Sequence, residues 1–458
     1  MNLSLISIFL GLALLMFLAY KGNSIIWVAP LCAAFVALLS GMNILQTYIN
    51  FGKDAAGTYQ GSYMRGLAEY VVQWFPAFFL GAIYGKVMDM TGSARSLANA
   101  LIKLIGPRQA VLAVVLPCLL MTYGGISLFV VVFVIYPMGY AIYRAANLPR
   151  TLLPGAIAFG AFGITMTTVP GTPQIQNLLP MNFYGTTPLA APALSLVGIL
   201  VIGLPGYLYL EWEASKTRKS LRGFQEDPKF VEVAKNETLP AWHWLAGLLP
   251  ILTVIVVLNV FKQHIVVSLL CGIILCCLMN IQQAKVLFPA ISAGAEGSLT
   301  AIMNTSCAVG FGSVVRLVPG FKSLTDLMMN MPGNILFSES VAVNVLAGAT
   351  GSASGGMSIA LSALAPQYVE KAKALAVAAG LTGPDLEVRV NQIGQLLHRV
   401  ASQSSGGLDT LPHNGAVLTL LAVSHCSHKE SYKGVFITTC LIPTIMSMIL
   451  ALIWGFFV

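Results

Sequence analysis

Four short segments set hydroxyls, amides, a carboxyl and an imidazole inside otherwise apolar stretches. They are Thr122–Ser127 (TYGGIS), Thr165–Asn177 (TMTTVPGTPQIQN), Gly348–Ser358 (GATGSASGGMS) and Ser402–Gly415 (SQSSGGLDTLPHNG). The first offers Thr122, Gly124, Gly125 and Ser127 as ligand-binding candidates, and the second offers Thr168, Gly171, Thr172 and Gln174. The third adds Ser352, Ser354, Gly355, Gly356 and Ser358, and the fourth Ser405, Gly406, Thr410 and Asn414. Glycine lets the backbone approach a ligand closely, and Ser or Thr hydroxyls can donate to a carboxylate without adding a fixed charge. Proline and paired glycines at these positions break helices, and the freed N–H groups and helix N-termini then favour an anion. Many weak neutral donors suit a protein that must also release what it binds. Small residues also line ordinary helix contacts in membranes. A lone pair of this kind reads as packing, whereas four clusters in corresponding positions read as a ligand site.

Asp409 stands apart, flanked by Gly406, Gly407 and Pro412 and far from any polar loop. An ionisable group at membrane depth is costly and by default marks an ion or proton pathway, so Asp409 is the leading candidate for proton coupling. His413 is the second. The bland alternatives are that Asp409 caps the helix starting near Pro412 and that His413 bonds to a neighbour. Arg399, beside His398, could assist an anion, although snorkelling to the surface is the commoner use of such a side chain. Asn304, Thr305 and Ser306 either line a cavity or bond across helices, and His425 and His428 read as interfacial.

The setting of these residues is lipid. Hydrophobic residues fill 57% of 458 positions and charged residues only 9%, against about 25% charged in ordinary soluble domains. The formal charge of +8 fits Lys and Arg collecting in cytoplasmic loops, and no basic stripe with interleaved aromatics points to nucleic acid. The eight cysteines form no CxxC pair or Cys/His cluster at metal spacing, which argues against a metal site or cofactor. No nucleophile elbow, HExxH or paired catalytic carboxylates argue for an intramembrane enzyme. A channel stays open as a third class.

The elements that must hold the four segments follow from the apolar runs, since a spanning helix needs about 20 such residues. In the first half, spans are expected at Leu3–Tyr20, Ile25–Met42, Val71–Met88, Leu152–Asn177 and Ala190–Leu210. In the second they are expected at His243–Val260, Ile265–Met279, Gly294–Val315, Val390–Ser424 and Val435–Phe457. Ala110–Ile142 and Ile335–Leu375 are each interrupted by Gly and hydroxyl residues, which predicts re-entrant hairpins. Met1–Ala19 contains no Lys or Arg, so it lacks a signal peptide's basic region and reads as a retained first span. Asn43–Tyr63 and Ile281–Phe288 look like interfacial connector helices.

The expected fold is therefore an all-α polytopic membrane protein. It has two inverted-topology repeats, each with about five spanning helices, one of them broken, plus one re-entrant hairpin. The repeats would be residues 1–210 and 241–458, joined by a cytoplasmic linker at 211–240 that is rich in Lys and Arg. Five crossings per half give the halves opposite orientation and put both termini outside. Matching motifs agree: GKVMDMTGSARSL at Gly85–Leu97 with GSVVRLVPGFKSL at Gly312–Leu324, and Gly124–Ser127 with Gly355–Ser358. Inverted repeats with broken helices at matching positions point to a transporter's binding site.

The paired-glycine hairpins, TTVPGTPQIQN and SQSSGGLDTLPHNGAVLTLLAV resemble the gluconate:proton symporter (GntP) family of bacterial permeases, within the ion transporter superfamily. The resemblance covers nearly the whole chain and implies proton-coupled uptake of small hydroxycarboxylates through the bacterial inner membrane. It also implies a homodimer, with a transport domain moving like an elevator against a scaffold. The scaffold would be 1–65 and 241–292, and the transport parts 66–210 and 293–458. The GLDTLPHNG form looks closer to the branch associated with 3-hydroxybutyrate and related short monocarboxylates than to gluconate permeases. Na⁺ coupling stays open, since the same hydroxyls and carbonyls could ligate sodium, but the SNT signature of sodium carriers is missing from both hairpin tips.

Overall fold

The computed structural model describes residues 3–21, 23–49, 61–219, 223–227 and 240–458. Helices dominate throughout because the apolar runs leave their backbone groups only one another to bond. α1 (Leu3–Tyr20) and α2 (Ile25–Leu39) form the first pair, with the Ser24 hydroxyl accepting from the Ile26 N–H at the start of α2. A short α3 (Ile44–Ile49) follows, and the rest of the expected connector at 43–63 lies largely outside the described residues. α4 (Tyr63–Met90) is capped by Ser62 and starts eight residues before the expected span.

Between the expected span Val71–Met88 and the expected hairpin at Ala110–Ile142 stands a helix, α5 (Ser93–Ile105), which meets the following segment at 96°. Arg95 and Lys103 make its sequence read as a loop, while Ala94, Leu97, Ala98 and Ile102 bury one face. The first hairpin is α6 (Ala110–Tyr123) packed on α7 (Leu128–Ala145). The first broken span runs through α8 (Leu153–Ala158), a π-helical stretch at Phe159–Gly163 and α9 (Ile164–Thr167), and resumes as α10 (Ile175–Leu178). α11 (Met181–Tyr184) leads to α12 (Pro192–Gly198), a second π stretch at Ile199–Gly203 and α13 (Leu204–Lys219). α13 thus carries helix into the expected linker.

The second half begins with α14 (Trp244–Asn259) and α15 (Ile265–Met279). The connector expected at Ile281–Phe288 is instead the beginning of one continuous apolar helix, Ile281–Leu317, most of which is α16 (Ala284–Leu317). Pro289 lies inside this helix without ending it, so nothing separates the connector from the span. α17 (Gly320–Met329) is amphipathic like α5. The second hairpin is α18 (Ile335–Thr350) packed on α19 (Ala353–Ala378). α20 (Gly383–Ser405), a turn at Leu408–Thr410 and α21 (Gly415–Val423) form the second broken span. The last span comprises α22 (His428–Val435), a π stretch at Phe436–Leu441 and α23 (Ile442–Trp454).

α4 and α16 cross in close contact, and they also pack on α15 and α2 respectively. Small residues allow the approach: a Cβ added at Gly294 would stand 2.6 Å from the Ile83 Cα, and one at Gly310 2.9 Å from the Tyr63 ring. At the other end a buried network ties α5 to α14 and α15. His243 bonds Ser96 Oγ at 2.8 Å and Asn280 Oδ1 at 2.9 Å, and Asn280 donates to Ser93 Oγ at 3.0 Å. The linker residues 223–227 dock under the first hairpin. The Phe224 N–H donates to Asn147 Oδ1, and the Asp227 carboxylate bonds His425 at 2.8 Å. Large apolar side chains such as Phe456, Leu104 and Phe288 remain exposed, as a lipid-facing surface requires.

The α4–α16 crossing makes a stability prediction. Gly294→Val forces the two backbones apart and should cost about 1–3 kcal/mol, the usual range for overpacking, read as a lower unfolding midpoint in detergent. Gly297, where an added Cβ would meet no other part of the protein within 4 Å, provides the control: Gly297→Val should leave the midpoint unmoved.

Candidate functional site

Each of the four breaks has a local cause. In the first hairpin Gly125 adopts φ +86, which a side chain disfavours, and Ser127 then opens α7. In the second, Gly351 at φ +59 ends α18, and the Ser352 hydroxyl accepts from the Gly355 N–H to start α19. In the first broken span Gly171, at φ +77, turns its N–H to the Pro188 carbonyl at 2.9 Å. In the second, Asn414 caps α21, its Oδ1 accepting from the N–H groups of Ala416 and Val417 at 2.7 and 2.9 Å. Asn414, and not Asp409, is therefore the helix cap.

Side-chain amides join each hairpin to a broken span. Gln174 Nε2 donates to the Thr122 carbonyl at 2.7 Å, linking the first pair. Asn414 Nδ2 donates to the carbonyls of Gly351 at 3.0 Å and Asp409 at 2.9 Å, linking the second. The two broken spans meet where Ser402 Oγ donates to the Thr167 carbonyl at 2.7 Å.

All four breaks reach one cavity of about 490 Å³. Gly125 and Ser127 line it from the first hairpin, and Pro173, Gln174 and Gln176 from the first broken span. Gly351, Ser352 and Ser354 come from the second hairpin, and Asp409, Thr410, His413 and Asn414 from the second broken span. The facing wall belongs to Asn23 and Ser24, to Ala77, Phe78, Gly81 and Ala82 of α4, to Ile265 and Leu269, and to Asn304 and Thr305 of α16. Among the described residues no Lys or Arg lines the cavity. Three lining side chains keep a buried atom without a partner: Gln176 Oε1, Asp409 Oδ1 and His413 Nε2. A cavity of this size, lined in part by amides and hydroxyls, can hold a small polar solute and a proton.

The remaining expected site residues lie outside that lining and hold the breaks together. Gly124 faces Ile251, Gly171 lies against Asn259, and Gly406 against Thr167. Gly356 packs on the backbone of Ala347 within the second hairpin, and Gly355 lies over Ser352. Thr122, Thr168 and Thr172 are buried, and the Ser405 hydroxyl donates to the Ser402 carbonyl at 2.7 Å. Ser358 points into a separate space of about 150 Å³, lined also by Tyr70 and Arg316.

Arg399 does not snorkel. It is fully buried, and its guanidinium donates to the carbonyls of Pro188 and Ala190 at 3.0–3.2 Å. Beside it His398 spans Thr186 Oγ1 at 2.6 Å and Asn177 Oδ1 at 3.3 Å. Together they fasten the chain after the first broken span to α20, away from the cavity. Asn304 and Thr305 do line the cavity, while Ser306 bonds back to the Met303 carbonyl.

The sequence reading passes over Glu339, a fully buried carboxyl on α18 that accepts from the Tyr184 hydroxyl. The signal is the one that picks out Asp409, a lone acid within an apolar stretch.

The GntP family permease profile matches residues 1–268. An uncharacterized transporter of Bacillus subtilis (strain 168), YxjC, is 36% identical over 478 aligned positions, covering 95% of this chain and 96% of that protein. An uncharacterized permease of Haemophilus influenzae is 26% identical over 56% of this chain and 50% of its own length.

The cavity makes a prediction of access. In a cysteine-free background, Ser127→Cys and Ser354→Cys should react with a water-soluble thiol reagent in intact vesicles. Ser405→Cys, walled in behind Thr167, should stay unlabelled on the same timescale, and equal labelling of all three would contradict the lining described.

Proposed function

Because the chain belongs to the GntP family of permeases and is a multi-pass secondary transporter, we propose that it carries a small hydroxycarboxylate inward with at least one proton, a 3-hydroxybutyrate-like monocarboxylate being favoured. The observation that carries this reading is the convergence of four helix breaks on a cavity that holds an unpaired carboxyl oxygen of Asp409 and, among the described residues, no Lys or Arg. An anion's carboxylate would be received by the hydroxyls of Ser127, Ser352 and Ser354 and the remaining N–H of the Gln174 amide. Such neutral donors release as readily as they bind. Asp409 takes up the proton, with His413 one turn away as the second group. A co-transported proton offsets the anion's charge against an inside-negative potential, worth about 2.3 kcal/mol per charge at 100 mV.

A sugar acid such as gluconate is the second reading, supported by the cavity's size, which leaves room around a four-carbon acid. Sodium in place of the proton is the third, supported by the oxygen-rich lining.

The proposed architecture is that of two inverted repeats moving as an elevator in a homodimer, in the bacterial inner membrane with both termini outside. The hairpins and broken spans would form the moving part. α4 and α16 pack on one another and on α15 and α2, which favours placing them with the stationary part. The boundaries would then move from residues 66 and 293 to beyond Met90 and Leu317.

Proteoliposomes test the reading. Among radiolabelled 3-hydroxybutyrate, gluconate, lactate and citrate, the first should be accumulated best, faster at acidic external pH and not at all with a protonophore. Asp409→Asn should abolish gradient-driven accumulation while preserving exchange of labelled for unlabelled acid. Unchanged concentrative uptake by Asp409→Asn removes that residue from the mechanism. Accumulation that needs sodium and ignores the proton gradient replaces the coupling ion.

A further inference from the structure

Glu339 sits in the fifth position of α18, the first arm of the second hairpin, and has no exposed surface. One carboxyl oxygen accepts from the Tyr184 hydroxyl of α11, and the other, Oε2, is buried without a partner. No cation among the described residues stands within 4.0 Å of it. The titratable groups that face it are Tyr184 from the first half and Tyr368 from α19, whose hydroxyl is shared with Ser338 at 3.0 Å. From α20, His398 and Arg399 turn toward Thr186 and the carbonyls of Pro188 and Ala190 instead. Asp409, in the turn against which α18 also packs, points an unpaired oxygen in the same low-dielectric interior.

A buried carboxyl serving structure alone is normally satisfied on both oxygens or paired with a cation. This one is held on a single oxygen by a neutral hydroxyl. It also lies at a contact between a hairpin arm and a segment of the other half, where a small movement of the hairpin would free it. Building on the proton-symport reading above, we propose that Glu339 is a second proton-binding group of the transport cycle, so that two protons accompany each monocarboxylate. An O–H bond forms at Oε2 when the hairpin loosens from Tyr184 toward outside water. It breaks, returning the proton to water, on the inner side. Two protons and one monoanion carry a net charge of +1 inward, so uptake is driven by membrane potential as well as by the pH gradient.

The test uses the full-length protein in proteoliposomes with equal pH on both sides and an inside-negative potassium diffusion potential. The probe is radiolabelled 3-hydroxybutyrate, or gluconate if wild type accumulates that acid instead. Wild type should accumulate the acid under potential alone, toward a limit of about 50-fold at 100 mV for one net charge. Glu339→Gln keeps the shape and the acceptor for Tyr184. Because the proton at Asp409, in the cavity, is the one required to load the anion, this variant should retain exchange and uptake driven by a pH gradient, and lose accumulation driven by potential. Potential-driven accumulation in Glu339→Gln equal to wild type overturns the proposal, as does a wild type indifferent to potential. A wild type unaffected by protonophore overturns the symport reading itself, which separates the two failures. If Glu339→Gln does not assemble, Tyr184→Phe carries the test. Removing the hydroxyl should displace the acidic limb of the uptake–pH profile while exchange at the optimum persists, and an undisplaced limb counts against the proposal.

Discussion

Backbone groups within a bilayer have no water to fall back on, so a helix can be broken there only if something else bonds what the break sets free. The four interruptions in this chain satisfy that condition with one another. Gln174 takes the Thr122 carbonyl, Asn414 takes those of Gly351 and Asp409, Ser402 takes that of Thr167, and Gly171 turns its N–H to Pro188. A buried polar group left unmade costs about 1–3 kcal/mol, so each break depends on its neighbour being in place. The cavity at their meeting point follows from this dependence. Short side chains and glycines that let the broken ends come together also leave a space that no side chain fills.

The two amide clamps differ in what else they do. Gln174 both bonds the first hairpin and lines the cavity. Asn414 does the same for the second hairpin while also capping α21. Loss of a solute's contacts and loss of a hairpin's docking are thereby mediated by the same two side chains, which gives a physical route from an occupied site to a closed hairpin. Arg399 and His398 hold the other face of α20 with bonds to carbonyls that do not reach the cavity. Charge is thus kept as a fastener at some distance, and the cavity itself is left to neutral groups and one acid.

The breaks were legible in the sequence because Gly and Pro in an apolar run have few other uses. Gly125, Pro173, Gly351 and Asn414 sit where that pattern puts them. Which neighbours line the cavity was not legible. Gly124 and Gly125 are identical in type, yet one meets Ile251 and the other the cavity, a difference of direction that composition does not carry. The facing wall was equally hidden, since Ala77, Gly81 and Ala301 read as ordinary membrane helix. α5 and α17 escaped notice because Arg95, Lys103, Lys322 and Asp326 interrupt their apolar faces and imitate loops. Arg399 was misplaced for a related reason: a long cation near polar residues resembles an interfacial one until the carbonyls it serves, some 210 residues earlier, are brought beside it.

The lengths of the paired helices have a consequence for the surrounding lipid. α2, α14 and α15 contain 15, 16 and 15 residues, and at 1.5 Å per residue they reach only about 22–24 Å, less than the roughly 30 Å thickness of a bilayer's hydrocarbon. α4 and α16, with 28 and 34 residues, exceed that thickness and either lie oblique or extend beyond it. A bilayer meets short helices by thinning around them. Thinning of this kind beside α2, α14 and α15 would leave a solute that passes there a narrower apolar barrier than the undisturbed membrane presents.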